Sequence, residues 1–134
     1  MQSSIQTPTV SKTALWVGRI LSGLTVLFFL LDGLMKLIKP EEVVKATVYL
    51  GYPESSLLLM GITLLVSTVL YMIPRTSIVG AILLTGYLGG ATATHVRVGD
   101  SLFSILLPVI FGVLVWGVLF LRDQRLRALL GLGN

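Results

Sequence analysis

Four stretches of the chain are apolar almost without interruption: Ala14–Ile38, Leu57–Ile73, Ile78–Val96 and Leu102–Leu121. A helix needs about 20 apolar residues to cross a bilayer, at roughly 1.5 Å of rise per residue. The pattern therefore predicts an all-α protein, a four-transmembrane-helix bundle. Lys39-Pro40 stops the first run, because a residue before proline is pushed out of the α region. Pro40-Glu41-Glu42 then opens a short helix, since proline suits the first turn and glutamates suit the positive end of the helix dipole. With Val43, Val44, Thr47 and Val48 on a partly apolar face, this helix is expected at the membrane surface between the first and second spans, ending at Gly51-Tyr52-Pro53.

The remaining punctuation is equally local. Ser55 or Ser56 is a candidate N-cap for the second span, which is near the short limit for crossing. Pro74-Arg75 makes a tight turn, and Thr76 or Ser77 caps the third span. Gly99-Asp100-Ser101 turns into the fourth, which carries Pro108 in its early part. Residues 1–13 read as a flexible polar tail and 122–134 as an amphipathic basic tail, with Asp123 to Leu130 its regular part. The run Ala14–Ile38 is too long for a cleaved signal peptide, holds Asp32 and Lys36, and has no small-residue cleavage site after it.

Composition agrees with lipid as the solvent. Charged residues make up 12% of the chain, half of the roughly 25% carried by a soluble domain, and mean hydropathy is +0.93. The absence of cysteine excludes disulfides, thiol relays and cysteine-ligated clusters built from this chain alone. One histidine argues against an all-protein metal site. The net charge of +4 forms no basic stripe, so nucleic acid is not an expected partner. Lys12, Arg75, Arg122, Arg125 and Arg127 fall on the side of the termini, with Asp123 as their one acid. Lys39, Lys45 and Arg97 fall on the other, with Glu41, Glu42, Glu54 and Asp100. The positive-inside rule then favours both termini in the cytoplasm; the membrane expected is a bacterial inner membrane.

Ionisable groups inside a span are costly, so each is a candidate for function. In the first span Ser22, Thr25, Asp32 and Lys36 fall within an arc of about 80° at 100° per residue. Asp32 and Lys36 are spaced i,i+4 in the order that favours an ion pair. Either they neutralise one another while Lys36 reaches the surface, or they line a cavity and hold a polar ligand group. Arg19 reads as reaching to lipid phosphates at its end of the helix. The third span holds Gly86, Gly89, Gly90 and Ala93, including a Gly86-x-x-x-Gly90 spacing that lets helices approach closely, within the bundle or across a dimer. Thr85, Thr92 and His95 share a different face, with Tyr87 and Thr94 nearly opposite. Because the first and third spans run parallel, Asp32, Lys36, His95 and Arg97 are expected at one mouth of the bundle.

These residues also resemble a known family. Leu31-Asp32-Gly33-Leu34-Met35-Lys36-Leu37 is similar to the Gly-x-x-Lys segment that closes the first helix of DoxX-like proteins. Tyr87 through Arg97 resembles their third-helix signature, and Pro108–Trp116 with Leu119–Asp123 their fourth helix and basic exit. The resemblance implies a small four-helix membrane protein. The founding name belongs to a subunit linked with thiosulfate and quinone oxidation, and distant relatives bind sterols or act as cargo receptors and chaperones.

Three readings follow. The first is a binding module for a small, mostly apolar molecule such as a quinone, isoprenoid or lipid, with Thr25, Asp32, Lys36, Thr92, His95 and Arg97 as the candidate ligand-binding set. The second is an enzyme or redox subunit in which His95 or Asp32 moves protons for a quinone or an isomerised substrate; the sequence names no cofactor, and quinone is the one candidate. The third is an accessory subunit that forms a homodimer or stabilises a partner membrane subunit.

Overall fold

The computed structural model describes residues 11–131. Six helices follow one another among them: α1 (Lys12–Ile38), α2 (Glu41–Tyr49), α3 (Ser56–Met72), α4 (Ser77–Arg97), α5 (Leu102–Arg122) and α6 (Gln124–Leu129). Three of these, α1, α4 and α5, are long and apolar enough to cross a membrane; α3 is apolar but shorter.

The helix ends follow local chemistry, with some shifts from expectation. The Ser11 side chain accepts from the Ala14 amide, so α1 starts at Lys12 and takes in two residues expected in the tail. The rest of that tail, 1–10, lies outside the described residues. Lys39 ends α1 in the left-handed region at φ 59°, donating its amide to the Met35 carbonyl. Pro40 is the N-cap of α2 rather than its first helical residue. Thr76 occupies the N-cap position of α4 but makes no side-chain cap bond, its hydroxyl donating instead to the Leu70 carbonyl at 2.8 Å. Asp123 caps α6 by accepting from the Arg125 and Leu126 amides. The basic tail is thereby folded against the bundle, with Leu126 and Arg127 buried.

Four long helices pack in a closed ring in which α1 touches α3 and α5, and α4 touches α3 and α5. The core is built from Phe29, Leu64, Tyr71, Ala81, Leu84, Leu88, Val115, Leu119 and Leu126. Phe28 stacks on Phe111 at 4.3 Å between ring centroids, which locks α1 onto α5. Tyr71 is fully buried and spans the interior to donate to the Val115 carbonyl at 2.7 Å. Large apolar side chains such as Leu59, Phe103 and Val113 point outward, as lipid contact requires. Three interior hydroxyls are satisfied within their own helices: Ser67, Thr68 and Thr94 each donate to the carbonyl four residues back.

Close backbone approach falls on glycines other than the expected ones. Gly33 and Gly61 bring α1 and α3 together; a Cβ on Gly61 would lie 3.0 Å from the Gly33 carbonyl oxygen. Gly80 sits directly against the backbone of Tyr71 and Leu70. A Cβ at Gly86, Gly89 or Gly90 would meet nothing within 4 Å, and these three residues and Ala93 are exposed. The small-residue stripe of α4 therefore does not pack inside the bundle. It faces outward because Leu84 and Leu88 take the inner face of α4.

The α5–α6 corner is fixed by one carboxylate. Asp123 is buried, accepts from the Ser77 hydroxyl at 3.2 Å and pairs with Arg125 at 3.0 Å. Burial alone would raise its pKa, but hydrogen bonds from Arg125 and the Leu126 and Arg125 amides outweigh it and hold the carboxyl below its ordinary value of 3.8. The sign follows from linkage. The corner is stabilised by this group above the ordinary carboxylate pKa, and that contribution is lost as the pH falls through the lower folded-state value.

Candidate functional site

The polar residues of the sequence gather at the end of the bundle where α1 and α4 finish and where the α2–α3 connection lies. The inward stripe of α1 places Thr25 deep in the interior, while Asp32 and Lys36 are half-buried. Lys36 Nζ donates to Asp32 Oδ1 at 2.7 Å, with 14% of the lysine side chain and 36% of the aspartate exposed. The i,i+4 spacing suffices to form this pair, so it needs no other helix.

On α4 the structure separates what the sequence grouped. His95 Nδ1 is 2.8 Å from Asp100 Oδ2, in the turn that follows α4. The hydrogen bond from His95, and that from the Ser101 amide, hold the Asp100 carboxyl below the ordinary carboxylate range. Arg97 Nη2 donates to the Leu50 carbonyl at 2.5 Å, which ties the end of α4 to the end of α2. Among the described residues, no hydrogen bond or ion pair joins Asp32 or Lys36 to His95 or Arg97. Thr92 donates to the Leu88 carbonyl and lines an outward groove instead. The physical reason is the ring: α1 and α4 sit across its diagonal, not side by side.

What does cross that diagonal is a residue on the face opposite Thr92. Tyr87 is half-buried, packs against the core, and lies within electrostatic range of both Asp32 and Tyr52. Its hydroxyl has no hydrogen-bond partner among the described residues, nor has that of Thr25. Tyr52, in the α2–α3 connection, donates to Thr94 Oγ1 at 2.8 Å, since the Thr94 hydroxyl proton is committed to the Gly90 carbonyl at 2.8 Å. One end of the bundle thus presents an ion pair, an uncommitted phenol and a tyrosine–threonine pair around its interior. Sequence reasoning passed over Tyr52, Tyr87 and Thr94 as site residues. The available signal was the spacing of Tyr87 and Thr94, seven residues apart and so on one helical face.

A second concavity runs along the outside of α4 and α5, about 620 Å³ in volume. Gly89, Gly112 and Gly117 give it depth, and Leu88, Val109 and Phe120 make it apolar. Trp116 closes one part by donating to Thr85 Oγ1 at 2.7 Å. The described residues hold no group of three or more His, Cys, Asp or Glu side chains placed for a metal ion.

Comparison with known proteins gives one finding. The sequence model of a family described as DoxX-like matches residues 20–118, from the first third of α1 to the last third of α5. No curated protein and no solved structure matches. The matched span contains Asp32, Lys36, Tyr52, Tyr87, Thr94, His95 and Arg97.

Proposed function

This chain belongs to the DoxX-like family, and from that premise we propose that it is an integral membrane protein that holds a small, mostly apolar molecule by its oxygenated end. All four long helices cross the bilayer in this reading, with α2 at the surface. The observation that carries it is the Tyr87 hydroxyl, half-buried and without a hydrogen-bond partner among the described residues, within electrostatic range of Asp32 of the Asp32–Lys36 pair. A hydrogen bond contributes about 0.5–1.5 kcal/mol net, and a carbonyl or hydroxyl of a quinone, isoprenoid alcohol or lipid would make one with this uncommitted hydroxyl. Apolar pockets with a few converging polar groups are the usual form of such sites.

Mass spectrometry of what copurifies with the protein tests this. Tyr87→Phe removes one oxygen and keeps the ring, so retention of the bound molecule should fall about tenfold, the worth of ~1.4 kcal/mol, with an unchanged melting temperature. Equal retention by both proteins, or no bound small molecule in either, would sink the reading.

The rival reading of proton transfer to a bound quinone is favoured by the His95–Asp100 hydrogen bond, which orients the ring as a general acid or base requires. His95→Gln separates the two: it spares retention in the first and abolishes quinone-dependent turnover in the second. The outward stripe of Gly86, Gly89, Gly90 and Ala93 supports a lateral contact with a second copy or a partner membrane subunit, the form in which an accessory role would be played.

Orientation belongs to the same proposal, with both termini cytoplasmic by the distribution of Lys and Arg. The chain has no cysteine of its own. Single cysteines at Ser3 and Glu54, treated on intact cells with an impermeant maleimide, should therefore label only at 54. Labelling only at 3 reverses the orientation.

A further inference from the structure

At the opposite end of the bundle, where α1 begins and α5 ends, an open-sided pocket of about 670 Å³ lies between α1 and the α5–α6 corner. Three arginines line it, Arg19, Arg122 and Arg127, and no acidic side chain does. Like charges gathered without a counter-charge repel one another, so a negative group placed among them would be stabilised. The one acid of this end, Asp123, is already engaged by Ser77, Arg125 and the amides that start α6.

The three guanidinium groups differ in how far they are committed. Arg122 is held in place: it donates to Ser22 Oγ at 3.2 Å and to the Tyr71 carbonyl, and lies over the Tyr71 ring at 4.5 Å. Arg19 is exposed, and its contact is with the Trp16 ring at 5.3 Å. Arg127 is the informative one. The residue is 8% exposed, Nη1 donates to the Phe120 and Leu121 carbonyls, and Nε is buried with no acceptor among the described residues. Among the described residues this buried cation has carbonyl partners but no carboxylate, and an anion in the pocket would supply the missing counter-charge.

We propose that this pocket binds a phosphate-bearing anion, with Arg19, Arg122 and Arg127 converging on its oxygens and Ser22 beside them. Guanidinium forks match phosphate oxygens in pairs, which suits three arginines better than three lysines. The walls between the arginines are Leu15, Val26 and Leu121, which offer an apolar path for acyl chains leaving a headgroup. The site is separate from the Tyr87 end and stands or falls independently of it. Arg19, Arg122 and Arg127 lie outside the residues matched by the family model, while Ser22 and Val26 of the same pocket lie inside them.

The test uses the full chain in neutral detergent, titrated separately with dioctanoyl phosphatidylglycerol, dioctanoyl phosphatidylcholine and inorganic phosphate, and read by native mass spectrometry and thermal shift. A lipid headgroup site should bind phosphatidylglycerol at least tenfold more tightly than either of the others. Inorganic phosphate binding as tightly as phosphatidylglycerol would support the anion site and identify its source as soluble. Arg127→Gln should weaken the preferred anion at least tenfold. Since Arg127 also holds two carbonyls of α5, Arg19→Gln serves as the variant that leaves folding untouched, and it should weaken binding several-fold at an unchanged melting temperature without anion. Absence of saturable binding by both anions, or equal affinity of wild type and Arg19→Gln, would overturn the proposal.

Discussion

Gly80→Ala should destabilise the bundle by about 3 kcal/mol, the upper part of the usual range for overpacking. A Cβ at this position falls against the backbone nitrogen of Tyr71, 2.5 Å from its Cα and 2.8 Å from the Leu70 carbonyl carbon. These are backbone atoms at the end of α3, so no side-chain rotamer can relieve the clash. The helices would have to separate, and the separation would pull Tyr71 away from Val115 and Arg122 away from the Tyr71 carbonyl. The control is Gly86→Ala, which adds a methyl to open space and improves helix propensity. In detergent melts Gly80→Ala should lose many degrees and Gly86→Ala none. Equal melting of the two would show that α3 and α4 do not approach as described.

Removing one member of the Asp32–Lys36 pair is the second large effect. With Asp32→Asn, the lysine ammonium keeps its position, 14% exposed, and loses its anionic partner. Breaking a buried pair typically costs ~3–5 kcal/mol; because Asp32 is about one-third exposed, roughly 2 kcal/mol is expected here. The double variant Asp32→Asn/Lys36→Met removes the stranded charge as well and should regain most of the loss. A double variant no more stable than Asp32→Asn would mean that Lys36 is already satisfied elsewhere. The same variants separate structure from binding: if Asp32 also touches a ligand, the double variant recovers its melting temperature and still retains less of the bound molecule.

Much of the fold was legible because helix ends are written in local chemistry. Lys39-Pro40, Pro74-Arg75 and Gly99-Asp100-Ser101 each stand where a helix stops. The ion pair was legible for the same reason, since an i,i+4 spacing needs only one helix. The inward faces were harder. In water an apolar stripe marks the core, but in lipid the outside of a helix is as apolar as the inside. Gly86-x-x-x-Gly90 therefore offered a packing face within the bundle or across a dimer, while the close approaches inside the bundle, at Gly33, Gly61 and Gly80, carry no distinguishing spacing. Contacts such as Tyr52 with Thr94, or Arg122 with Ser22, join residues 42 and 100 positions apart. Only the ring order of the helices brings them together, and nothing in a single sequence states that order.

The unequal lengths of neighbouring helices bear on where this protein can reside. α1 has 27 residues and the adjacent α3 has 17, or about 40 Å against about 26 Å of rise. A typical hydrocarbon layer is ~30 Å thick. In the four-crossing arrangement the lipids beside α3 must shorten while those beside α1 are spanned with length to spare. Such mismatch costs a fraction of a kcal/mol per Å and falls as the membrane thins. The protein should consequently deform the leaflet asymmetrically around itself and partition into bilayers of shorter acyl chains, with its lateral distribution set by one short helix.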